Sequence, residues 1–308
     1  MIAGDQRARA ALALRSLLSQ AGIERAEVIL IDCGSRPTMA PLLGSDHPNV
    51  RTIRRLERKP YGVTCAEGAQ LARGKYVAYL EEHCQALPGY LTGIENALDN
   101  GWAAVGPEVH SYYSDLRFSN AIWIMHYPVH LRPNARRKVT HILVGHNVAY
   151  QRRILLDHAD DLGELLENDP VLNDLLRRQG YDLGIDPAMK ILHANEKAVS
   201  VISRGYYLWH RTFAFHRMRL GGWPSWYKVL RLLTVPLMPL VRWARFVAAA
   251  VFRRPADLPL VLLFSPHILI TQSAAAAGTL AGYLFGPGDL IEFAGYEIDT
   301  PRDLPAPE

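Results

Sequence analysis

Two short stretches and a handful of scattered residues carry the side chains that could do chemistry. Glu81, Glu82 and His83 follow directly on the apolar run Tyr76-Val-Ala-Tyr-Leu80. Carboxylates beside an imidazole are the residue types that ligate a divalent cation or move a proton. Asp32 closes a second apolar run, Glu27-Val-Ile-Leu-Ile-Asp32, ahead of the turn residues Cys33-Gly34-Ser35. A carboxylate there accepts hydrogen bonds, either from a ligand or from the turn itself. Further along stand His146-Asn147, the carboxylates Glu164, Glu167 and Asp169, and His193 after the apolar pair Ile191-Leu192. Asp169 precedes Pro170, and Asp-Pro also reads as the start of a helix over 170–179.

These residues need elements to hold them. Leu12, Leu14, Leu17 and Leu18 recur at near-helical spacing and predict an amphipathic helix near the N-terminus. Strands follow at 27–32, 50–53, 76–80 and 103–105, with helices over about 62–73, ending at Gly74 as a C-cap, and 89–100 between them. Strands alternating with helices, with acids at the strand ends, predict an α/β fold with a mainly parallel open sheet. In such sheets ligands bind outside the carboxyl ends of the strands, so Asp32 and Glu81-Glu82-His83 are expected to face one crevice.

The order of these segments resembles family 2 glycosyltransferases of the nucleotide-sugar-binding GT-A fold. Four blocks carry the resemblance within residues 7–196: Val28 to Ser35; Ala72 to His83, at the place of the Asp-x-Asp strand; Gly145-His-Asn-Val-Ala-Tyr-Gln-Arg-Arg153; and Asn168-Asp169 with Leu175 to Leu183, Asp186-Pro-Ala188 and His193. The resemblance implies that Asp32 bonds the nucleobase, that Glu81 and Glu82 stand at the donor diphosphate, and that Glu82, His83 and His193 hold a divalent cation. That cation would be Mn²⁺ or Mg²⁺, and the imidazoles suit Mn²⁺ better. Asp169 takes the place of the catalytic base, with Glu167 in reserve. His146 and Asn147 fall on the acceptor side, and Arg152 and Arg153 lie near enough to be considered for phosphate.

Two departures accompany these matches. Cys65 and Ala66 occupy positions where the family carries Arg and Asn. The family also begins with a strand ahead of its first helix, and no such strand is legible before residue 7. The sheet is therefore expected to lack its first strand, which upstream codons should restore.

Composition adds the rest. At 308 residues and 49% hydrophobic, the chain has ample material for a packed core. Three dispersed cysteines and no CxxC pair exclude a disulfide framework or a zinc ribbon. Acids and arginines interrupt residues 1–20 before any signal-length apolar run forms. The net charge of +4 hides a polarity: residues 204–254 hold ten Lys and Arg and no acid, while the remainder carries −6. A boundary is expected near residue 204, giving a glycosyltransferase-like domain over 1–204 and a basic, aromatic, helical region over 205–308. Apolar stretches such as Val235 to Val241 favour a membrane surface over nucleic acid as its partner. Residues 258–286 contain no charged side chain and are long enough for a single span, a buried hairpin being the alternative. The expected activity is sugar transfer, with inversion, from a nucleoside diphosphate donor to a lipid-linked or envelope-glycan acceptor in polysaccharide biosynthesis, at the cytoplasmic face of the membrane. The alternative is a catalytically silent membrane-associated relative that only binds.

Overall fold

The computed structural model of the chain describes residues 1–35, 44–112, 121, 138–139, 143, 146–253 and 255–302. They form two compact units, one of Met1–Tyr112, Asn134–Ala194 and Ala294–Glu308, the other of Tyr113–Pro133 and Asn195–Phe293. The composition shift at residue 204 thus falls inside a helix of the second unit, and residues 294–302 return to the first.

The first unit opens with a strand that was not expected. β1 (Ile2–Ala3) pairs in parallel with β2 (Val28–Asp32), Ile2 opposite Ile31 and Ala3 opposite Asp32. Backbone groups of Met1 and Ala3 accept from Ile31 and Cys33, so the slot beside β2 is filled. The expectation of a missing first strand is corrected on this point: three residues suffice to pair a strand edge, but they are too few to show a period of two. β2 pairs in parallel with β3 (Val50–Arg54), setting Asp32 opposite Arg54. Helix α1 (Arg7–Leu18) buries Ala10, Ala11, Ala13, Leu14 and Leu17, while Leu12 and Leu18 of the expected leucine stripe are half-buried. Helix α2 (Tyr61–Leu71) ends at Ala72, which is extended, so Gly74 is not its cap.

A second sheet runs in the order β4 (Tyr76–Ala78), β8 (Ala149–Gln151), β6 (Ala104–Ser111), β9 (Leu183–His193), β5 (Cys84–Ala86), with β7 (Lys138–Val139) also on β9. The parallel pairing expected of most strands holds in the N-terminal sheet and between β6 and β9, while the other pairs here are antiparallel. Residues 146–193 return through the sheet without a crossover helix for every strand, and antiparallel neighbours need none. Helix α3 (Tyr90–Asp99) follows β5 and packs Gly93 against Met189.

β9 is the strand that matters most for position. Its register against β6 slips between Pro107 and Glu108, a bulge opposite Asp186 to Lys190. Beyond the bulge, β9 lies between β6 and β5 and carries His193 to a point directly opposite Cys84. Helices α4 (Arg152–Leu156), α5 (Leu162–Glu167) and α6 (Asp169–Arg178) complete this unit. Only the extended Asn168 separates α5 from α6. Asn168 therefore holds the cap position assigned from sequence to Asp169, and Asp169 is the first helical residue.

The second unit is helical: α7 (Val199–Leu220), α8 (Ser225–Thr234), α9 (Met238–Arg253), α10 (Leu258–Leu263) and α11 (Ser265–Phe285). Ile202, Ala250, Val261 and Ile268 form its core. Gly278 and Gly282 let α11 approach α7, since a Cβ at either would stand 2.2 Å from the Tyr207 carbonyl oxygen or 2.3 Å from that of Arg211. Arg242 is held between His210 Nε2 at 2.9 Å and Gln272 Oε1 at 3.0 Å. The last helix, α12 (Leu290–Asp299), runs from this unit into the first.

Candidate active site

Glu81, His83, Cys84 and His193 are all buried, and one ligand atom from each lies within 4.8 Å of the others. The main chain builds this group in two strokes. A turn, closed by Cys84 N–H donating to the Glu81 carbonyl at 3.0 Å, brings residues 81 and 84 together. The antiparallel register of β5 and β9 then sets His193 beside Cys84. The resulting distances are short: His83 Nε2 to His193 Nε2 is 3.1 Å, and Glu81 Oε2 lies 3.4 Å and 3.6 Å from those two nitrogens.

Glu82 points elsewhere. Arg9 reaches it in a fully buried ion pair, and its Oε2 is 3.5 Å from His83 Nδ1, on the opposite edge of that ring. Of the three ligands expected from sequence, His83 and His193 are brought together, while Glu82 sits behind them and Glu81 takes its place. Arg302 donates to His83 Nδ1 at 2.7 Å. A neutral ring that accepts this bond carries its proton on Nε2, so ligation through Nε2 would require Arg302 to release Nδ1, beside which Glu82 Oε2 could then accept the relocated proton. Burial raises the carboxyl groups of both Glu81 and Glu82, against the pull of Arg302 and, for Glu82, of Arg9.

Two imidazoles and a carboxylate, all ordered by neighbours and none at the surface, fit a divalent cation.

A second polar group adjoins the first through consecutive residues. Asn147 accepts the Glu81 N–H at 3.0 Å and donates to Glu81 Oε2 at 2.5 Å, so it braces that carboxylate. His146 turns the other way: its ring lies 4.3 Å from that of Tyr61, and its Nδ1 is 3.1 Å from Asp169 Oδ1. Burial alone would lower His146, but the charge and hydrogen bond of Asp169 raise it to about 10, making an imidazolium–carboxylate pair at neutral pH. Glu167 is pushed by burial up to about 7, although the Gly62 N–H bonds its Oε2 at 2.7 Å. Among the described residues, His146 Nε2, Asp169 Oδ2, Glu167 Oε1 and both polar atoms of Asn168 are buried without a hydrogen-bond partner. Such atoms gathered in one place mark where a polar ligand would be received.

Gly62 is a sensitive point in this arrangement. A Cβ there would stand 2.1 Å from the Gly163 oxygen and 2.3 Å from the Glu167 nitrogen. Gly62→Ala should therefore push α5 away, costing about 1–3 kcal/mol. It should also release the Glu167 bond; thermal denaturation together with the pH profile of any activity would show both.

Asp32, at the end of β2, is engaged on both oxygens. Arg7 binds it at 2.7 Å and 2.8 Å, Arg54 reaches Oδ1 at 2.6 Å, and Gly34 N–H donates at 3.1 Å. Burial favours the neutral form, but these donors together hold the carboxyl below its ordinary value. Arg152 donates to the Ala69 and Gln70 carbonyls at the end of α2, which is a structural role. Gly145, in the same block, lies outside the described residues.

Sequence reasoning missed Arg7, Arg9, Cys84 and Arg302. A run of Glu-Glu-His-Cys was visible, but nothing local could show that Cys84 faces a strand ending at His193. Arg302 lies 219 positions from the ring it touches.

Residues 7–158 match the family described as glycosyl transferase family 2. No curated protein matches the chain. Among solved structures, the mannosyltransferase PcManGT from Pyrobaculum calidifontis, in complex with GDP-Man and Mn²⁺, superposes with a TM-score of 0.54 at 16% identity, over 92% of this chain and 86% of that one. S. aureus TarS 1–349 gives a TM-score of 0.47 at 11% identity, over 91% and 89%. GalNAc-T7 with UDP, GalNAc and Mn²⁺ gives 0.45 at 13%, over 59% of this chain but only 39% of that one.

Proposed function

The chain is a family 2 glycosyltransferase with a GT-A-like α/β fold, and on that premise we propose that it transfers a sugar, with inversion, from a nucleoside diphosphate to a lipid-linked or envelope-glycan acceptor. The observation that carries this reading is the pair His146-Asn147. One residue is tied to the carboxylate Asp169, the next to Glu81 of the cation cluster. Consecutive Cα atoms lie about 3.8 Å apart, so a base and a leaving-group site are held within one substrate's length.

Asp169 is the base in this reading. Its Oδ1 is fixed by His146, leaving Oδ2 to accept the proton of an acceptor hydroxyl. The acceptor oxygen then bonds the anomeric carbon as the bond from that carbon to the diphosphate oxygen breaks, on the opposite face. Glu81, His83 and His193 would hold a Mn²⁺-type cation, which supplies charge neutralisation to the departing diphosphate. Asp32 receives the nucleobase by sharing an oxygen now held by Arg7 or Arg54.

The silent, binding-only alternative has an observation of its own in favour: Arg7, Arg54 and Arg9 already engage Asp32 and Glu82. Titration of UDP- and GDP-sugars with Mn²⁺, followed by donor hydrolysis and transfer assays, separates the two. Binding without turnover would favour the silent reading; absence of any nucleotide binding would sink the transferase reading.

We infer action at a membrane, on its cytoplasmic face. Two stretches, Ser225–Phe252 and Ser265–Phe285, are long and apolar enough to cross a bilayer. The first is mostly exposed, presenting Trp226, Leu233, Leu240 and Phe252 beside Arg231 and Arg245. Half of the second is buried within the protein. We place the first in the interfacial layer, and keep α11 as the one candidate for a span. Flotation with vesicles containing anionic lipid should capture the protein, and Arg231→Glu with Arg245→Glu should weaken capture by roughly 1 kcal/mol per removed cation. Carbonate extraction reports on α11: release into the supernatant would leave it as an interfacial or packed helix.

A further inference from the structure

We propose that Cys84 is a sulfur ligand of the cation centre, which makes that centre selective for borderline-soft divalent ions of the zinc and cobalt type over Mg²⁺. This rests on the cation reading of the cluster and adds to it a ligand and a choice of metal.

Geometry comes first. The edges joining His83 Nε2, His193 Nε2 and Glu81 Oε2 measure 3.1, 3.4 and 3.6 Å. An ion about 2.0–2.1 Å from each ligand in a tetrahedral arrangement has edges of about 3.3–3.4 Å. Cys84 supplies a fourth ligand, its Sγ 3.7 Å from Glu81 Oε2 and within 4.8 Å of both histidine ligand atoms, and a diphosphate oxygen would enter as the fifth by expansion of the coordination shell. Cross-strand pairing with His193 fixes that placement, because directly opposed residues project to the same face of a sheet.

Donor chemistry points the same way. Mg²⁺ is held by oxygen atoms in near-ideal octahedral geometry, and this cluster offers one carboxylate among two imidazoles and a thiol. Nitrogen and sulfur donors suit zinc, cobalt and their neighbours.

Charge completes the case. A buried divalent ion is costly unless compensated. Glu82 is already paired with Arg9, leaving Glu81 as the cluster's one carboxylate. Burial and the charges of Glu81 and Glu82 favour the neutral Cys84 thiol, so the second negative charge arises only when the ion displaces its proton. On binding, the S–H bond is exchanged for a metal–sulfur bond, and the proton passes to solvent.

Cobalt(II) tests this directly, because its spectrum reports its ligands. The full chain titrated with Co²⁺ should show visible d–d bands together with a near-ultraviolet band from thiolate-to-cobalt charge transfer. Cys84→Ala should keep the d–d bands, through Glu81, His83 and His193, and lose the near-ultraviolet band. The same substitution should weaken Zn²⁺ in competition by at least about tenfold, a loss caused even by removing a group that only hydrogen-bonds a ligand. Visible bands without the charge-transfer band in the unsubstituted protein would overturn the role of Cys84 and leave the cation centre standing. Persistence of that band in Cys84→Ala, from Cys33 or Cys65, would overturn it equally. No cobalt bands at all would overturn the cation reading as well. Circular dichroism of Cys84→Ala confirms that a lost band is not a lost fold.

Discussion

Asp169→Asn is expected to lower sugar transfer by roughly 10²–10⁴-fold while leaving donor affinity nearly unchanged. The amide keeps the shape and the contact with His146 but cannot take a proton on the atom that faces the acceptor. What remains should depend on Glu167, two residues away, whose carboxyl burial pushes up to about 7. Residual transfer by Asp169→Asn should therefore rise with pH through about 7, and the double substitution with Glu167→Gln should lose that rise. If Glu167→Gln alone cost as much as Asp169→Asn, the two roles would be exchanged. Stability offers an independent check. A carboxyl raised in the folded state stabilises the fold fully below its unfolded value, about 4.3, and that contribution is lost as pH rises through about 7. Glu167→Gln should accordingly raise the melting temperature at pH 8 relative to the parent, with the advantage vanishing toward pH 4.

What was legible in the sequence followed the range of the interactions concerned. The run Val28 to Asp32 announced both its strand and its terminal acid, because a buried strand needs an unbroken apolar stretch and its end is where polar chemistry resumes. Tyr76 to His83 did the same, and the leucine spacing of α1 predicted its helix. The partners of these acids were not legible. Arg7 and Arg9 sit two positions apart in α1 and reach Asp32 and Glu82, 25 and 73 residues away. Nothing in an arginine on a helix start distinguishes a buried ion pair from a solvated face. The antiparallel return of β8 and β9 was equally hidden, since hydrophobic alternation reports a strand but not the direction of its neighbour. That direction is what sets Cys84 against His193, and so decides which acid joins the cation cluster. The first strand escaped for the opposite reason, being too short to carry any pattern.

Glu82→Ala and His193→Ala should fail in different ways, and the contrast tests the division of labour between the two acids after Leu80. Glu82 is buried against Arg9, whose guanidinium also bonds the Thr300 carbonyl at 2.7 Å and that of Ile298 at 3.2 Å. Removing the carboxylate strands a buried cation at the joint between α1 and the returning C-terminal segment. A loss of about 3–5 kcal/mol is expected, whether or not a metal ion is present. His193→Ala removes an imidazole from the cation cluster and leaves the Arg9–Glu82 pair intact. Its cost in the absence of metal should be smaller, while the thermal stabilisation that added Mn²⁺, Co²⁺ or Zn²⁺ gives the parent protein should disappear. Transfer should fall by roughly 10²–10³-fold, the scale on which loss of one leaving-group stabiliser is felt. Denaturation curves of both variants, with and without metal, decide the matter. Had Glu82 been a ligand as the order of residues in the sequence suggested, its variant would lose the metal-dependent stabilisation as completely as that of His193. In the arrangement found here, Glu82 holds the fold that presents His83, and Glu81, braced by Asn147, faces the ion.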